Sequence, residues 1–317
     1  GLLWSQRVEA GALWRPGMDA AAVDLDFATA ALEDATLTDA PRQPPSFVAT
    51  LPGGDLCVTD VLTHQLHVLS LAGELKRTVD ASPRLQFPMG IACDGECLYV
   101  ADGHSDCILK IRLADGETVA HVGGLQYPHG VAYAGGRLFV CDCFNHRLVV
   151  YDSRLVELRA IGRRGVGHGE FMYPRGVAVH GDEVFVADTD NHRVEVFLTA
   201  GGMFQYVRTI GGLDGPEPTL LREPYGLAHA HGRLFVAEMA GRLQVLTPTS
   251  GTPLQKAALP GEGMLCGLCG DARRVYVAGY EADKGRLHIL AARRAPGEGE
   301  PGRRGGGDGG GDGGGGE

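Results

Sequence analysis

The chain has 317 residues, 44% of them hydrophobic and 21% charged, with a formal net charge of −10. That balance belongs to a globular chain of one large domain or two ordinary ones, and no apolar run approaches the roughly 18 residues of a membrane-crossing helix. The charge is uneven: net −4 over residues 1–42, −3 over 43–294 and −3 over 295–317. A near-neutral body excludes general capture of nucleic acid by bulk positive charge. No leader-like combination of basic and apolar segments opens the chain. Eight cysteines at irregular spacing, in a chain large enough to build a core, read as reduced thiols and place the protein in the cytoplasm.

In chain order, residues 1–42 form an N-terminal extension. Within it AVDLDFAT (22–29) alternates Val23, Leu25 and Phe27 with acidic residues, as a half-exposed outer strand does. An amphipathic helix from Asp19 to Asp34 is the rival reading, because the segment is rich in alanine. Trp4 and Trp14 lie upstream and are expected to pack on the outer wall of the main domain.

Six related segments come next. YPHGVAYAGGRLFVCDCFNHRLVVYD (127–152) aligns without a gap on YPRGVAVHGDEVFVADTDNHRVEVFL (173–198). Weaker copies are FPMGIACDGECLYVADGHSDCILKIR (87–112) and EPYGLAHAHGRLFVAEMAGRLQVLTP (223–248). Two degenerate ones begin at Ser46 and Leu265. Pro88 to Asp102, Pro128 to Asp142, Pro174 to Asp188 and Pro224 to Glu238 are each fourteen residues apart, and Ser46 to Asp60 and Leu265 to Gly279 keep that interval.

Each copy follows one physical script. Pro-x-Gly opens a short apolar strand, where glycine permits unusual angles and close approach. A glycine turn leads into a continuously apolar run such as VFVA, expected to be buried on both faces. An Asp-x-x-Asn-His-Arg turn follows. The next strand alternates, Val194 and Val196 one way, Arg193 and Glu195 the other. ELRAIG (157–162) and VRTIG (207–211) are fourth strands. Four short strands per roughly 40–45 residues is the pattern of a β-propeller blade.

The runs Pro-x-Gly-Val-Ala-Val and Val-Ala-Asp-x-x-Asn-His-Arg-Val, with the glycine-rich connector IGRRGVGHGEFMYPRG (161–176), resemble the NHL-repeat family over about residues 43–294, most closely in 127–198. The expected fold is all-β: a six-bladed β-propeller of four-stranded antiparallel blades with repeats near 46–80, 85–123, 125–162, 171–212, 221–259 and 263–292. The last repeat has only three strands, so the N-terminal extension is expected to give the closing outer strand. Residues 295–317 read as a disordered, glycine-rich acidic tail.

In this frame Asp60, Asp102, Asp142, Asp188 and Glu238, with Asn145, Asn191, His146 and His192, are structural turn residues. Asp188 is expected to satisfy backbone amides just after its strand. His64, His146 and His192 belong to different blades and cannot share a metal. RRGVGHG (163–169) lacks the Gly-Lys-Ser/Thr ending of a phosphate loop and is read as a blade connector. CGLC (266–269) lies on a strand, where positions i and i+3 face opposite ways and cannot grip one metal. Cys93 and Cys97 flank a turn and could become cross-strand neighbours; idle thiols are the default.

The inner-strand openings offer Phe47, Met89, His129, Arg175, Tyr225 and Cys266: one histidine and no carboxylate. Gluconolactonase-like and peptidyl-hydroxyglycine-lyase-like propellers need metal ligands at that ring, so no catalytic residue, metal or cofactor is assigned. Those metal-dependent hydrolases or lyases remain the enzymatic alternative, with Glu170 and Glu223 near the same rim. The favoured expectation is a protein-interaction scaffold without membrane contact, which the resemblance links to substrate recognition in ubiquitin-ligase assemblies. Its binding face would collect Met89, His129, Arg163, Arg164, Arg175, Tyr225, Arg147 and Arg193, since aromatic and arginine side chains dominate interaction hot spots. Phe87, Tyr127 and Tyr173 sit beside them, either on that face or sealing blade contacts. Single-stranded RNA recognition is the runner-up, because arginines beside aromatics suit base stacking.

Overall fold

A computed structural model of the chain describes residues 28–31, 47–71, 74–81, 84–212, 221–258, 263–271, 274–281 and 286–293. Trp4, Trp14, residues 22–27 and the 295–317 tail lie outside the described residues.

The fold is an all-β propeller of four-stranded antiparallel sheets. Five blades are each made of four consecutive strands. The first holds β2 (Val48–Thr50), β3 (Leu56–Asp60), β4 (Gln65–Leu69) and β5 (Leu75–Val79). The second holds β6 (Pro88–Cys93), β7 (Cys97–Asp102), β8 (Cys107–Arg112) and β9 (Thr118–Val122). The third holds β10 (Pro128–Ala134), β11 (Arg137–Asp142), β12 (Arg147–Asp152) and β13 (Glu157–Ile161). The fourth holds β14 (Pro174–His180), β15 (Glu183–Asp188), β16 (Arg193–Leu198) and β17 (Gln205–Gly211). The fifth holds β18 (Pro224–Ala230), β19 (Arg233–Glu238), β20 (Arg242–Leu246) and β21 (Pro253–Ala258).

A further sheet joins β22 (Gly263–Gly270), β23 (Arg274–Glu281) and β24 (Arg286–Arg293) to β1 (Ala28–Ala31), in the order β1-β24-β23-β22. β1 runs antiparallel to β24, with Ala28 opposite Ala291 and Ala31 opposite His288. The sequence pattern puts this strand at 22–29; only its last two residues fall in β1. Over 28–31 the backbone is a strand and not the rival helix, because the unpaired edge of β24 supplies the hydrogen bonds that a lone short helix would lack.

The glycine of each Pro-x-Gly explains how the inner strands meet. A Cβ on Gly90 would lie 2.3 Å from the carbonyl oxygen of His129, one on Gly130 2.3 Å from that of Arg175, and one on Gly176 2.1 Å from that of Tyr225. On Gly226 it would meet the Cys266 oxygen at 2.0 Å, and on Gly267 the Cα of Phe47 at 2.5 Å. None of these glycines has a positive φ. Close approach between neighbouring sheets, rather than an unusual backbone angle, is therefore what each needs.

The residues that follow these glycines, Ile91, Val131, Val177, Leu227 and Leu268, join Phe47 and Val48 around the axis and leave a cavity of about 20 Å³. That is space for about one water molecule. Apolar side chains thus plug the propeller axis. The second strands are buried on both sides, with Leu98, Val140, Val186 and Val236 fully inaccessible. Each such side chain contributes roughly 1.5–3 kcal/mol relative to exposure, which accounts for the continuous apolar run in every repeat.

The outer strands carry a second regularity. In all five blades the pairing of third and fourth strands slips by one residue, leaving Lys76, Val119, Leu158, Val207 and Leu254 as the extra residue of a bulge. The four aliphatic ones are exposed. Bulges twist an edge strand away from flat pairing, so these edges resist sheet-to-sheet aggregation.

Candidate interaction face

The acidic corner residue closes each blade by reaching backward. The Met172 amide donates to Asp188 Oδ1 at 2.6 Å, the Gln126 amide to Asp142 at 2.6 Å and the Arg222 amide to Glu238 at 2.8 Å. Asp102 accepts from the amides of Gln86 and Phe87. The amides satisfied lie about sixteen residues upstream, in the segment entering the same blade, rather than just after the strand. The reason is register: Pro174 pairs with Asp188, which sets the carboxylate beside the incoming chain. Asp60 alone caps its own turn, taking the amides of Leu62 and Thr63. Asn145 and Arg147 hold Asp142, as Asn191 and Arg193 hold Asp188, all within 2.9 Å.

The histidine of the corner works between blades. His64, His146 and His192 adopt left-handed φ near +60°, as do Asp106 and Gly241 at the matching positions. His146 Nδ1 accepts the Tyr173 amide at 3.2 Å, and His192 Nδ1 accepts the Glu223 amide at 3.0 Å. Asp106 likewise takes the Tyr127 amide at 2.7 Å. Each acceptor tethers the first residue of the next blade's Tyr/Glu-Pro-x-Gly, and that residue itself has positive φ. Asx and His side chains tolerate this backbone region better than most.

Arg193 and Glu195 do not face solvent. Both are buried, because the connector 163–171 folds over them. Arg193 donates to the carbonyl oxygens of Val166, Gly167 and Glu170 while paired with Asp188. Glu195 accepts from the Gly169 amide and the Thr209 hydroxyl. Arg147 pairs with Asp142, Arg163 with Glu170 and Arg242 with Glu238. Of the expected face residues, Arg193 is thus committed inside the fold, Arg147 and Arg163 are paired, and Arg164 is exposed.

Met89, His129 and Tyr225 lie below the surface, at 2%, 1% and 5% exposure. Inner-strand residues crowd toward the axis, where the glycine contacts leave little room for solvent. His129 Nδ1 lies 3.0 Å from the Arg175 carbonyl oxygen, which can only accept, so Nδ1 carries the proton. Nε2 then accepts from the Tyr225 hydroxyl at 2.7 Å. Burial first, and the Arg175 charge second, hold His129 well below the usual histidine range, so it is neutral. Arg175, half-buried, places its guanidinium 5.2 Å over the Tyr225 ring and donates to Met239 Sδ at 3.2 Å. This knot joins the third, fourth and fifth blades.

A ridge of rings runs outward from it. His104 stacks on Phe87 at 4.3 Å, and Phe87 and Tyr127 lie 6.0 Å apart. Phe144 stacks on Tyr127 at 4.8 Å and meets Tyr173 edge-on at 5.7 Å, while His146 lies 4.6 Å from Tyr173. Phe144 is 44% exposed, and His104 is exposed too. Neither was singled out by sequence reasoning. The available signal was substitution at a turn: Phe144 stands where the aligned repeat has Asp190. Phe87 is buried and Tyr127 and Tyr173 are half-buried, so these three serve both the blade contact and the ridge.

Among the described residues no group of three or more His, Cys, Asp or Glu is placed to hold a metal ion. All eight cysteines are free thiols; Cys93 and Cys97 are not joined. Burial pushes the Cys143 thiol up to about 11, so it is not an activated nucleophile. No helix among the described residues is long and apolar enough to cross a membrane.

The comparisons with known proteins agree with this geometry. The NHL repeat family model matches residues 125–151 and 171–197, the third and fourth blades. No curated protein sequence matches significantly. Among solved structures, a catalytically inactive variant of virginiamycin B lyase from Staphylococcus aureus, solved with quinupristin, superposes with a TM-score of 0.59 at 11% identity. The match covers 83% of this chain and 99% of the lyase, and at that identity it speaks for the fold alone. With paired corner motifs, glycine-mediated blade contacts and family matches in its two best-preserved blades, the chain is a β-propeller that carries NHL repeats in its third and fourth blades.

Proposed function

We propose that this chain is a non-catalytic NHL-repeat scaffold that binds a protein partner across the face carrying the aromatic ridge. The observation behind this is Phe144, an exposed ring stacked on Tyr127 and flanked by Tyr173 in three consecutive blades' worth of aromatic surface. A contiguous exposed aromatic patch marks an interaction site, and aromatic and arginine side chains dominate the energetic centres of interfaces. The eight free thiols fit a reducing, cytoplasmic setting. In the fuller form of this reading the propeller is the recognition part of a ubiquitin-ligase-type assembly.

The test uses a photo-cross-linking phenylalanine analogue at position 144 and, as a control, at 254 on an exposed outer-strand bulge. Cross-links to protein are expected only from position 144, insensitive to ribonuclease, and Phe144→Ala should weaken recovery of the same partner about tenfold or more. Probing the captured material for ubiquitin tests the ligase part. Ribonuclease-sensitive capture would move the assignment to RNA; equal capture from both positions would remove this face.

We also propose that the propeller has six blades, the last completed by β1, with 1–42 an extension, 43–294 the propeller and 295–317 a tail. The pairing of Ala28–Ala31 with β24 and the contact of Gly267 with Phe47 support it. Deleting residues 1–31 should lower the melting temperature and strip hydrogen-exchange protection from the amides of Arg286–Arg293. Unchanged protection there would refute the closure.

A further inference from the structure

Of the arginines on the ridge face, Arg147, Arg163, Arg193 and Arg242 are each matched by a carboxylate. Arg175 is not. Among the described residues no carboxylate lies within ion-pair distance of it, although it is more buried than Arg163 or Arg164. Its direct neighbours are soft, the Tyr225 ring, Met239 Sδ and the Cys143 thiol, and the Asp190 carboxylate acts on it only from beyond ion-pair distance. A guanidinium stacked on a ring and donating to sulfur still has in-plane N–H groups to offer a carboxylate. The surroundings also hold it still. Its carbonyl accepts from His129, whose other nitrogen accepts from Tyr225, and Tyr225 in turn supports the guanidinium.

We propose that Arg175 is the receptor for a single carboxylate of the partner, an Asp, Glu or C-terminal carboxylate lying beside an apolar residue that packs on Phe144 and Tyr173. This deepens the partner-binding reading above and rests on it. Charge complementarity selects the occupant. A half-buried, orientated cation without a direct ion pair, at the axial end of an aromatic ridge, suits one carboxylate next to one apolar side chain. A polyphosphate chain would instead have to pass Asp106, Asp190 and Glu223, all exposed at the same rim, on a protein of net charge −10.

The experiment selects a displayed random-peptide library on the full chain and measures the affinities of the enriched peptides. Enriched sequences are expected to carry Asp, Glu or a free carboxyl end beside an aromatic or aliphatic residue. Changing that Asp to Asn in the peptide should weaken binding about tenfold or more to the unaltered protein. Arg175→Gln should weaken the acidic peptide equally and erase the Asp/Asn difference, and Arg175→Lys should restore part of it. If Arg175→Gln fails to fold, the peptide-side change on the unaltered protein decides alone. Peptides that need Phe144 but bind Arg175→Gln unchanged, or show no acidic preference, overturn the assignment of Arg175 and leave the face standing. Peptides indifferent to Phe144→Ala overturn both. An empty selection together with Arg175-dependent retention of oligouridylate overturns it in favour of phosphate.

Discussion

Arg193→Ala is expected to destabilise the protein by about 3–5 kcal/mol, read from urea or thermal unfolding. The guanidinium pairs with Asp188 at 2.7 Å and lies 3.4 Å from Glu195, and both carboxylates are fully inaccessible. It also satisfies the carbonyl oxygens of Val166, Gly167 and Glu170. Burial already pushes the Asp188 carboxyl up from its ordinary value, against the hydrogen bonds from Met172, Asn191 and Arg193. Removing the cation therefore strands two buried negative charges and frees the connector at once. Arg193→Lys should rescue little, because one ammonium cannot reach the carboxylates and three carbonyls together. The aligned residue provides the control. Arg147 is 29% exposed in its side chain, serves one carboxylate and the Gly124 oxygen, and should cost only about 1–2 kcal/mol on truncation. Equal losses at the two positions would show that the connector does not depend on Arg193.

That contrast also shows what could be read from the chain and what could not. The repeat period, the buried middle strands and the polar corners were legible because each recurs, and recurrence separates architecture from accident. The role of Arg193 was not. Alternation along β16 predicts an outward side chain, and it does point away from Val194; but the connector 163–171 returns over it, and nothing in a local pattern announces a distant segment folding back. The same limit hid the burial of His129 and Tyr225. Their position after proline marks the axial end of an inner strand, whereas their exposure depends on how tightly neighbouring blades close. Phe144 was missed for the opposite reason. It lies within a well-matched repeat, where attention falls on shared residues, although the departure from Asp190 carries the information.

The candidate face follows from the same division. Repeated residues on it are consumed: Asp188 by amides, His146 by the Tyr173 amide, Arg193 by carbonyls. Only positions that differ between blades retain unused capacity, namely Phe144, His104, Arg164 and Arg175. The x of Pro-x-Gly and the residues just after the acidic corner are the variable sites.

Gly176→Ala is expected to cost about 3 kcal/mol or more, enough to reduce folded yield sharply. A Cβ there would lie 2.1 Å from the Tyr225 oxygen, 3.1 Å from its carbonyl carbon and 3.3 Å from the Gly226 Cα, all backbone atoms that no rotamer change can move. Relief requires separating β14 from β18. The neighbouring contacts at Gly130 and Gly226 are as close, so the strain cannot be passed along the row. Displacing Tyr225 would also pull its hydroxyl from His129 and its ring from Arg175, so peptide or partner binding should fall in whatever protein still folds. Gly181 isolates the cause. It has φ +57° and nothing within 4 Å of a built Cβ, so alanine there meets only the left-handed backbone penalty, about 1 kcal/mol. A Gly176 variant no less stable than the Gly181 variant would mean that the blades do not need their closest backbone contact. Close approach would then no longer explain the glycine of Pro-x-Gly, and the burial of the axial knot that depends on it would lose its cause.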